Sequence, residues 1–318
     1  MIRSVCVVLL VVFSVAAAAQ SYPVRAVRII VPYAPGGSVD LIARVLGQRL
    51  AEGLGQPVVI DNRAGGGGAV GMDAMAKSAA DGYTLAVVAT GAVTINPHLA
   101  KLPYDTLKDI AAVSMLASSP LVLGVNAALP IQSVRELIAY SKGRPGAMSL
   151  AVNGIGSHAY LSGEQLKRAA GMALVAIPYK GGAPAAAAIA AGEVPAGITD
   201  VNAMLPFLKS GRIRGLGITD PKRSASLPDL PTLAEAGVPG FDSYSWVALF
   251  APANTPNEVI ARLNAEVAKV LALADVRDQY LRSALDPAPS SALELSRTLR
   301  SDSEKWRNLI RDAGIKGE

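Results

Sequence analysis

Cysteine is all but missing. The 318-residue chain has one, Cys6, and only two histidines, His98 and His158. That supply excludes a disulfide framework and argues against a zinc site. Charged residues are scarce at 17% and aromatics scarcer at 5%, against 51% hydrophobic. The balance describes a compact globular chain rather than a disordered one. The net charge of +5 is scattered, with no Lys/Arg run and no interleaved aromatics. No nucleic-acid partner is expected. G-x-S-x-G is absent, and Ser157 and His158 are neighbours whose side chains diverge at a helix start, so neither makes a nucleophile–base couple. Lys180, in Tyr179-Lys180-Gly181-Gly182, lacks the following Ser/Thr of a phosphate-binding loop. The expectation is no enzyme, no cofactor and no metal, with an exported hydrolase as the weaker alternative.

Long apolar runs are missing too, apart from Val5 to Val15. That run is short for a membrane span. Arg3 precedes it and Ala16 to Ala19 follow it, which is the pattern of a secretory signal peptide over residues 1–19, cleaved before Gln20. Cys6 lies inside the run and not at the cleavage point, which argues against a lipid anchor. Cleavage removes Arg3 and leaves a net charge of +4, with no cysteine.

What the chain has in abundance is strand–glycine–helix units. Val27, Ile29, Ile30 and Val31 suit a buried strand, Pro32 stops it, and Tyr33 to Gly37 form a tight loop through Ala34, Pro35 and Gly36. Ser38 reads as an N-cap, followed by Leu41, Ile42, Val45, Leu46 and Leu50 at helical spacing. Such a loop turns backbone N–H groups outward at a helix N-terminus, where they attract anions. Met148 to Val152 repeats the design, with Asn153, Gly154, Ile155, Gly156 and Ser157 leading into a second helix. The alternation of strand and helix signals predicts an α/β fold with mainly parallel sheets. Interruptions near Ser118 and Ser243 predict two crossing strands that act as a hinge. The expected lobes are residues 20–117 plus 244–318, and 118–243. In open α/β sheets ligands lie at the carboxyl ends of strands, so the cleft between lobes is the expected site.

Other motifs carry less. Gly66 to Gly71 matches G-x-G-x-x-G, but Asp61 to Gly65 separate it from its strand, so a flexible or close-packed turn before a helix is the better reading. His158 is balanced between a packed histidine and a ligand contact. Asp200 is read as a helix cap or a polar contact at the cleft edge. Trp246 is read as core or as one pocket wall.

Taken in order, the motifs VPYAPGGSVDLIAR (31–44), VIDNRAGGGGAVG (59–71), INPHL (95–99), LPYDTLKD (102–109), NGIGSHAYLSGEQL (153–166), PYKGGAPA (178–185), LPDLPTLAEAGVPGF (227–241) and APANTP (251–256) resemble the Bug family. Its members are periplasmic solute-binding receptors of tripartite tricarboxylate transporters. The resemblance covers Tyr22 to the C-terminus. It implies a two-lobed periplasmic binding fold of type II-like form, acting as a monomer on a small carboxylate or amino acid and handing it to membrane transporter subunits. A sensor presenting its ligand to a membrane signalling protein is the alternative. Relatives hold the carboxylate through backbone amides and waters, from loops like Tyr33–Ser38 and Asn153–Ser157. The distal end of the ligand is expected to meet Tyr33, Thr90, His158, Tyr179, Asp200 and Trp246, with Lys180 and Gly181 as further ligand-binding candidates. Pro195, where relatives tend to keep an Asp, puts the strand geometry after Val194 in question.

Overall fold

The computed structural model describes residues 22–143 and 148–316. The expected signal peptide, with Cys6, lies outside the described residues. The strands are β1 (Val27–Val31), β2 (Val58–Asn62), β3 (Thr84–Ala89), β4 (Ile110–Ser118), β5 (Leu121–Asn126), β6 (Met148–Val152), β7 (Leu174–Pro178), β8 (Ala196–Asp200), β9 (Ile213–Ile218), β10 (Trp246–Pro252) and β11 (Asp286–Pro287). The helices are α1 (Ser38–Leu54), α2 (Ala69–Ala76), α3 (Asn96–Leu99), α4 (Val134–Lys142), α5 (His158–Ala170), α6 (Gly182–Ala191), α7 (Val201–Lys209), α8 (Leu233–Ala236), α9 (Asn257–Ala272), α10 (Ala274–Arg282) and α11 (Ala292–Ala313). A wide helical turn over Gly91–Ile95 precedes α3.

The strands form two sheets. One has six strands in the order β11-β4-β10-β3-β1-β2, the other five in the order β7-β6-β8-β5-β9. Sheet membership changes between Ser118 and Leu121, and again between Ile218 and Trp246. The two connections run side by side: Ser119 N–H donates to Ser245 O at 2.8 Å, and Ser243 N–H to Thr219 O at 3.0 Å. Pro120 lies in the first, where a strand cannot continue its ladder.

The sheets are mixed, which corrects the mainly parallel expectation. β1 pairs parallel with β2 and β3, and β6 with β7 and β8. The strands that flank the connections run the other way: β10 is antiparallel to β3 and β4, and β5 to β8 and β9. A chain that leaves one sheet and later returns must re-enter it against the direction of departure. Pro195 lies just before β8, and its carbonyl accepts from Asn126 N–H at 2.9 Å, so the strand starts cleanly after it.

Each sheet buries its own core. Ile29, Val31, Leu46, Leu50, Leu85, Val87, Leu249, Leu263 and Val267 belong to one cluster under the first sheet. Leu123, Val125, Leu150, Val152, Leu166, Ala196 and Ile198 form its counterpart in the second. The C-terminal helix α11 spans the two. Its Trp306 is fully buried and clusters with Ile95 and Ile310 on one side and Leu161 of α5 on the other. A capping box starts α11, with Ser291 Oγ accepting from Glu294 N–H and Glu294 accepting from Ser291 N–H. At α9, Thr255-Pro256-Asn257-Glu258 has the sequence of a capping box, but no such box forms. Pro256 takes the cap position, and Thr255 Oγ1 donates to Pro252 O at 2.8 Å instead.

Candidate ligand-binding site

The parallel strands of both sheets end in the glycine loops. After β1, Pro32 is buried and Tyr33 half-buried, while Ala34 to Ser38 are exposed. The cap of α1 is Gly37, not Ser38, and it has no side-chain cap bond. Ser38 is already helical, which turns its hydroxyl away from the capping position. Gly36 has φ 92°, whereas Gly37 has φ −81°. The left-handed backbone of the loop therefore belongs to Gly36 and not to Gly37.

A carboxylate inside the protein braces this loop. Asp40, 4% exposed, accepts from Gly36 N–H, Arg44 Nε and Asn62 Nδ2, each at 2.9 Å. Asn62 also donates to Tyr33 O at 3.1 Å. Arg44, with further help from Gly36 N–H and Asn62, holds the Asp40 carboxyl down at about 2. Asp40 thus occupies part of the helix N-terminal field that an incoming anion would use. Sequence reasoning passed over Asp40 and Asn62 as loop braces. The available signal was the parallel register, which sets Asn62 beside Val31 at the end of its strand.

In the second sheet, Asn153, Tyr179 and Asp200 follow or end β6, β7 and β8 side by side. Asn153 Oδ1 accepts from Thr199 Oγ1 at 2.8 Å, and its Nδ2 donates to Asp200 Oδ2 at 3.1 Å. Asp200 stands at the cap position of α7 without a side-chain cap bond. Gly182 approaches so closely that a Cβ there would lie 2.5 Å from Thr199 Oγ1 and 2.7 Å from Asp200 Oδ2. Gly181, φ 110°, caps α6, and exposed Lys180 stands beside it. Ser157 caps α5, its Oγ accepting from Tyr160 N–H at 3.1 Å.

Of the backbone donors expected to hold an anion, Gly36 N–H is taken by Asp40, and Ser157 N–H by Gly154 O at 3.0 Å. Gly37, Ser38 and Gly156 keep theirs without a protein acceptor among the described residues. Gly156, φ 75°, faces the other lobe: a Cβ there would meet Leu99 Cδ1 at 2.6 Å. Beside this contact is a cavity of about 290 Å³ lined by Gly66, Gly67, Asn96, Leu99, Ile155 and Gly156.

Several expected contacts are not brought to the loops. Trp246 has no exposure, and its indole N–H donates to Asp302 Oδ2 at 2.8 Å, so it is core and not a pocket wall. Thr90 is 1% exposed, with its hydroxyl 3.2 Å from that of Thr94. His158 packs edge-on against Trp306, ring centroids 5.1 Å apart, with Nε2 3.1 Å from Ser243 Oγ. Burial lowers its pKa to about 4, so it stays neutral. Tyr179 lies half in and half out, packed on the Ala-rich cluster beneath α6. Gly71 of the glycine run is a close-packing residue: a Cβ would fall 2.7 Å from Pro32 Cβ.

One glycine loop follows a parallel strand in each sheet, and the two sheets are joined by paired connections, a two-lobed plan. Residues 42–315 match the tripartite tricarboxylate transporter family receptor. The chain belongs to that family. Over 303 residues it is 39% identical to Protein BugT of Bordetella pertussis, covering 94% of this chain and 92% of the relative. An R. palustris protein solved with adipate is 36% identical, with a TM-score of 0.77 over 93% of this chain and 100% of that one. MatC from Rhodopseudomonas palustris, with bound malate, is 31% identical, with a TM-score of 0.72 over 91% and 100%. The chain is a two-lobed α/β protein of the periplasmic solute-binding receptor kind.

Proposed function

We propose that this chain is exported and captures a small carboxylated metabolite between its lobes, residues 20–117 plus 244–318 and residues 118–243, for delivery to a tripartite tricarboxylate-type membrane transporter. The observation that carries the reading is the pair of loops at Gly36–Ser38 and Asn153–Ser157. Each ends a parallel strand at a helix N-terminus, and together they offer unspent N–H groups from both lobes. The adipate and malate bound by two relatives are carboxylates, which agrees with an anion held by amides. Asn153, Tyr179, Lys180 and Asp200 form the wall that reads the rest of the solute. The protein acts by binding and closing, not by catalysis.

A thermal-shift screen of the exported chain against mono-, di- and tricarboxylates and amino acids tests this. A ligand at about 100 times its dissociation constant adds roughly 2.7 kcal/mol to stability. A shift with a neutral sugar and with no carboxylate would overturn the anion reading. Loss of uptake on deleting the membrane subunits, with binding intact, supports transport; intact uptake with a lost signalling response supports a sensor.

A further inference from the structure

Where β4, β11 and the two connections come together there is a cavity of about 560 Å³. Met115, Ser118 and Asp286 contribute from the first sheet, Asp220 from the connection after β9, and Tyr244 from the return. Ser118 ends β4, pairs with Asp286 of β11, and donates its hydroxyl to Asp220 Oδ2. Ala225 N–H, further along the same connection, donates to Asp286 Oδ1 at 3.1 Å. The lobes are therefore bonded to each other here through side chains as well as through the connections.

Asp220 is 4% exposed, and its Oδ1 makes no hydrogen bond. Its charged neighbours are mostly of its own sign. Asp286 faces it from β11 and Asp242 from the return connection, while the nearby Tyr244 phenol donates to Met115 Sδ at 3.0 Å. The cations close by are committed or outward. Arg223 pairs with Glu235 at 3.0 Å, Lys222 is exposed on the rim, and Lys305 of α11 sits 3.8 Å from Asp242. No cation within ion-pair distance offsets Asp220 among the described residues. Burial raises its carboxyl to about 8 against the support of the Ser118 hydroxyl, and Asp286 and Asp242 raise it further.

We propose that lobe closure is proton-linked: Asp220 ties the lobes together at the hinge as a neutral acid, and its ionisation favours their separation. The proposal rests on the two-lobed capture reading and adds its regulation. An ionised Asp220 in this cavity would be a buried charge facing other carboxylates, which is costly. Parting the lobes lets water in and relieves that cost. In an opened, solvated hinge Asp220 titrates as an ordinary carboxyl near about pH 4. The closed form then binds one more proton from there up to about pH 8. Across that interval the closed-to-open ratio falls as pH rises, by at most about tenfold per pH unit, and levels off above it.

The test is lobe separation measured by fluorescence energy transfer on the solute-free protein. Val59, 53% exposed on β2, and Val175, 48% exposed on β7, lie on the strands farthest from the hinge. The probe is Val59→Cys with Val175→Cys in a Cys6→Ser background. The lobes should move apart as pH rises from roughly 5 to 8 and stay constant above. Asp220→Asn should hold the acid-form distance throughout. Asp286→Asn, which removes a repelling charge, should bring the plateau to lower pH, and it serves if Asp220→Asn folds poorly. A pH-independent distance, or an Asp220→Asn profile like the parent's, overturns the proposal. No solute is needed, so failure of the receptor reading appears separately, as carboxylates that leave the distance unchanged at a fixed pH.

Discussion

At Gly36 the backbone lies at φ 92°, a region where a β-branched side chain is strained whatever the surrounding space. Gly37 lies at φ −81°, and a Cβ there meets nothing within 4 Å. Gly36→Val should therefore cost about 1–2 kcal/mol in folding stability and weaken every carboxylate alike. Gly37→Ala should fold like the parent. Calorimetric titration and denaturant unfolding of both variants check this; equal behaviour of the two would refute the loop assignment. Asp40 gives a second residue-level expectation. Its carboxyl is depressed to about 2, so its contribution is present above the ordinary carboxylate range and lost as pH falls through about 2. Asp40→Asn should lose less stability than the parent between about pH 4 and pH 2. Asp220 has the opposite sign. Its raised carboxyl makes the folded state hold the extra proton, so stability falls as pH rises from about 4 toward about 8. Asp220→Asn should match the parent at the acid end and melt higher at pH 8.

At the scale of the element, the strand–loop–helix units were legible in the sequence because their signals are local. Ser133 and Ser157 each cap a helix that follows them directly, accepting from a backbone N–H three residues on. Side-chain direction was not legible. Trp246, Thr90 and His158 sit next to cleft-forming segments, but their polar atoms point to Asp302, Thr94 and Ser243. Only the packing of α11 and the wide turn at Gly91–Ile95 settles that, and both depend on chain far away in sequence. The helix α11 yields its own expectation. Ser291→Ala removes an N-cap and should cost about 1 kcal/mol. Trp306→Ala removes a fully buried ring between the lobes and should cost about 3–5 kcal/mol. Thermal unfolding of each variant measures it, and a Trp306→Ala cost no greater than the Ser291→Ala cost would show that α11 does not bind the lobes together.

At the scale of the molecule, the two-lobed plan followed from two interruptions near Ser118 and Ser243, while the mixed direction of the sheets did not, because strand direction depends on where the chain re-enters. The plan has a measurable outcome. Solute at saturation should lower the radius of gyration in small-angle scattering, as the lobes close over the paired connections. An unchanged radius would count against the hinge. The sheet order has another consequence, for the way the chain comes to be folded. β10 lies between β3 and β4, so the six-stranded sheet is interrupted until residues 246–252 arrive. The five-stranded sheet uses only residues 121–218 and contains every strand it needs much earlier. During N-to-C synthesis or export, the inserted sheet can assemble while β3 and β4 still wait with bare edges. Those waiting edges are the stretch most exposed to mispairing. A chain truncated before Trp246 would keep them bare permanently, which makes it a substrate for chaperones and proteases even though its second sheet is complete.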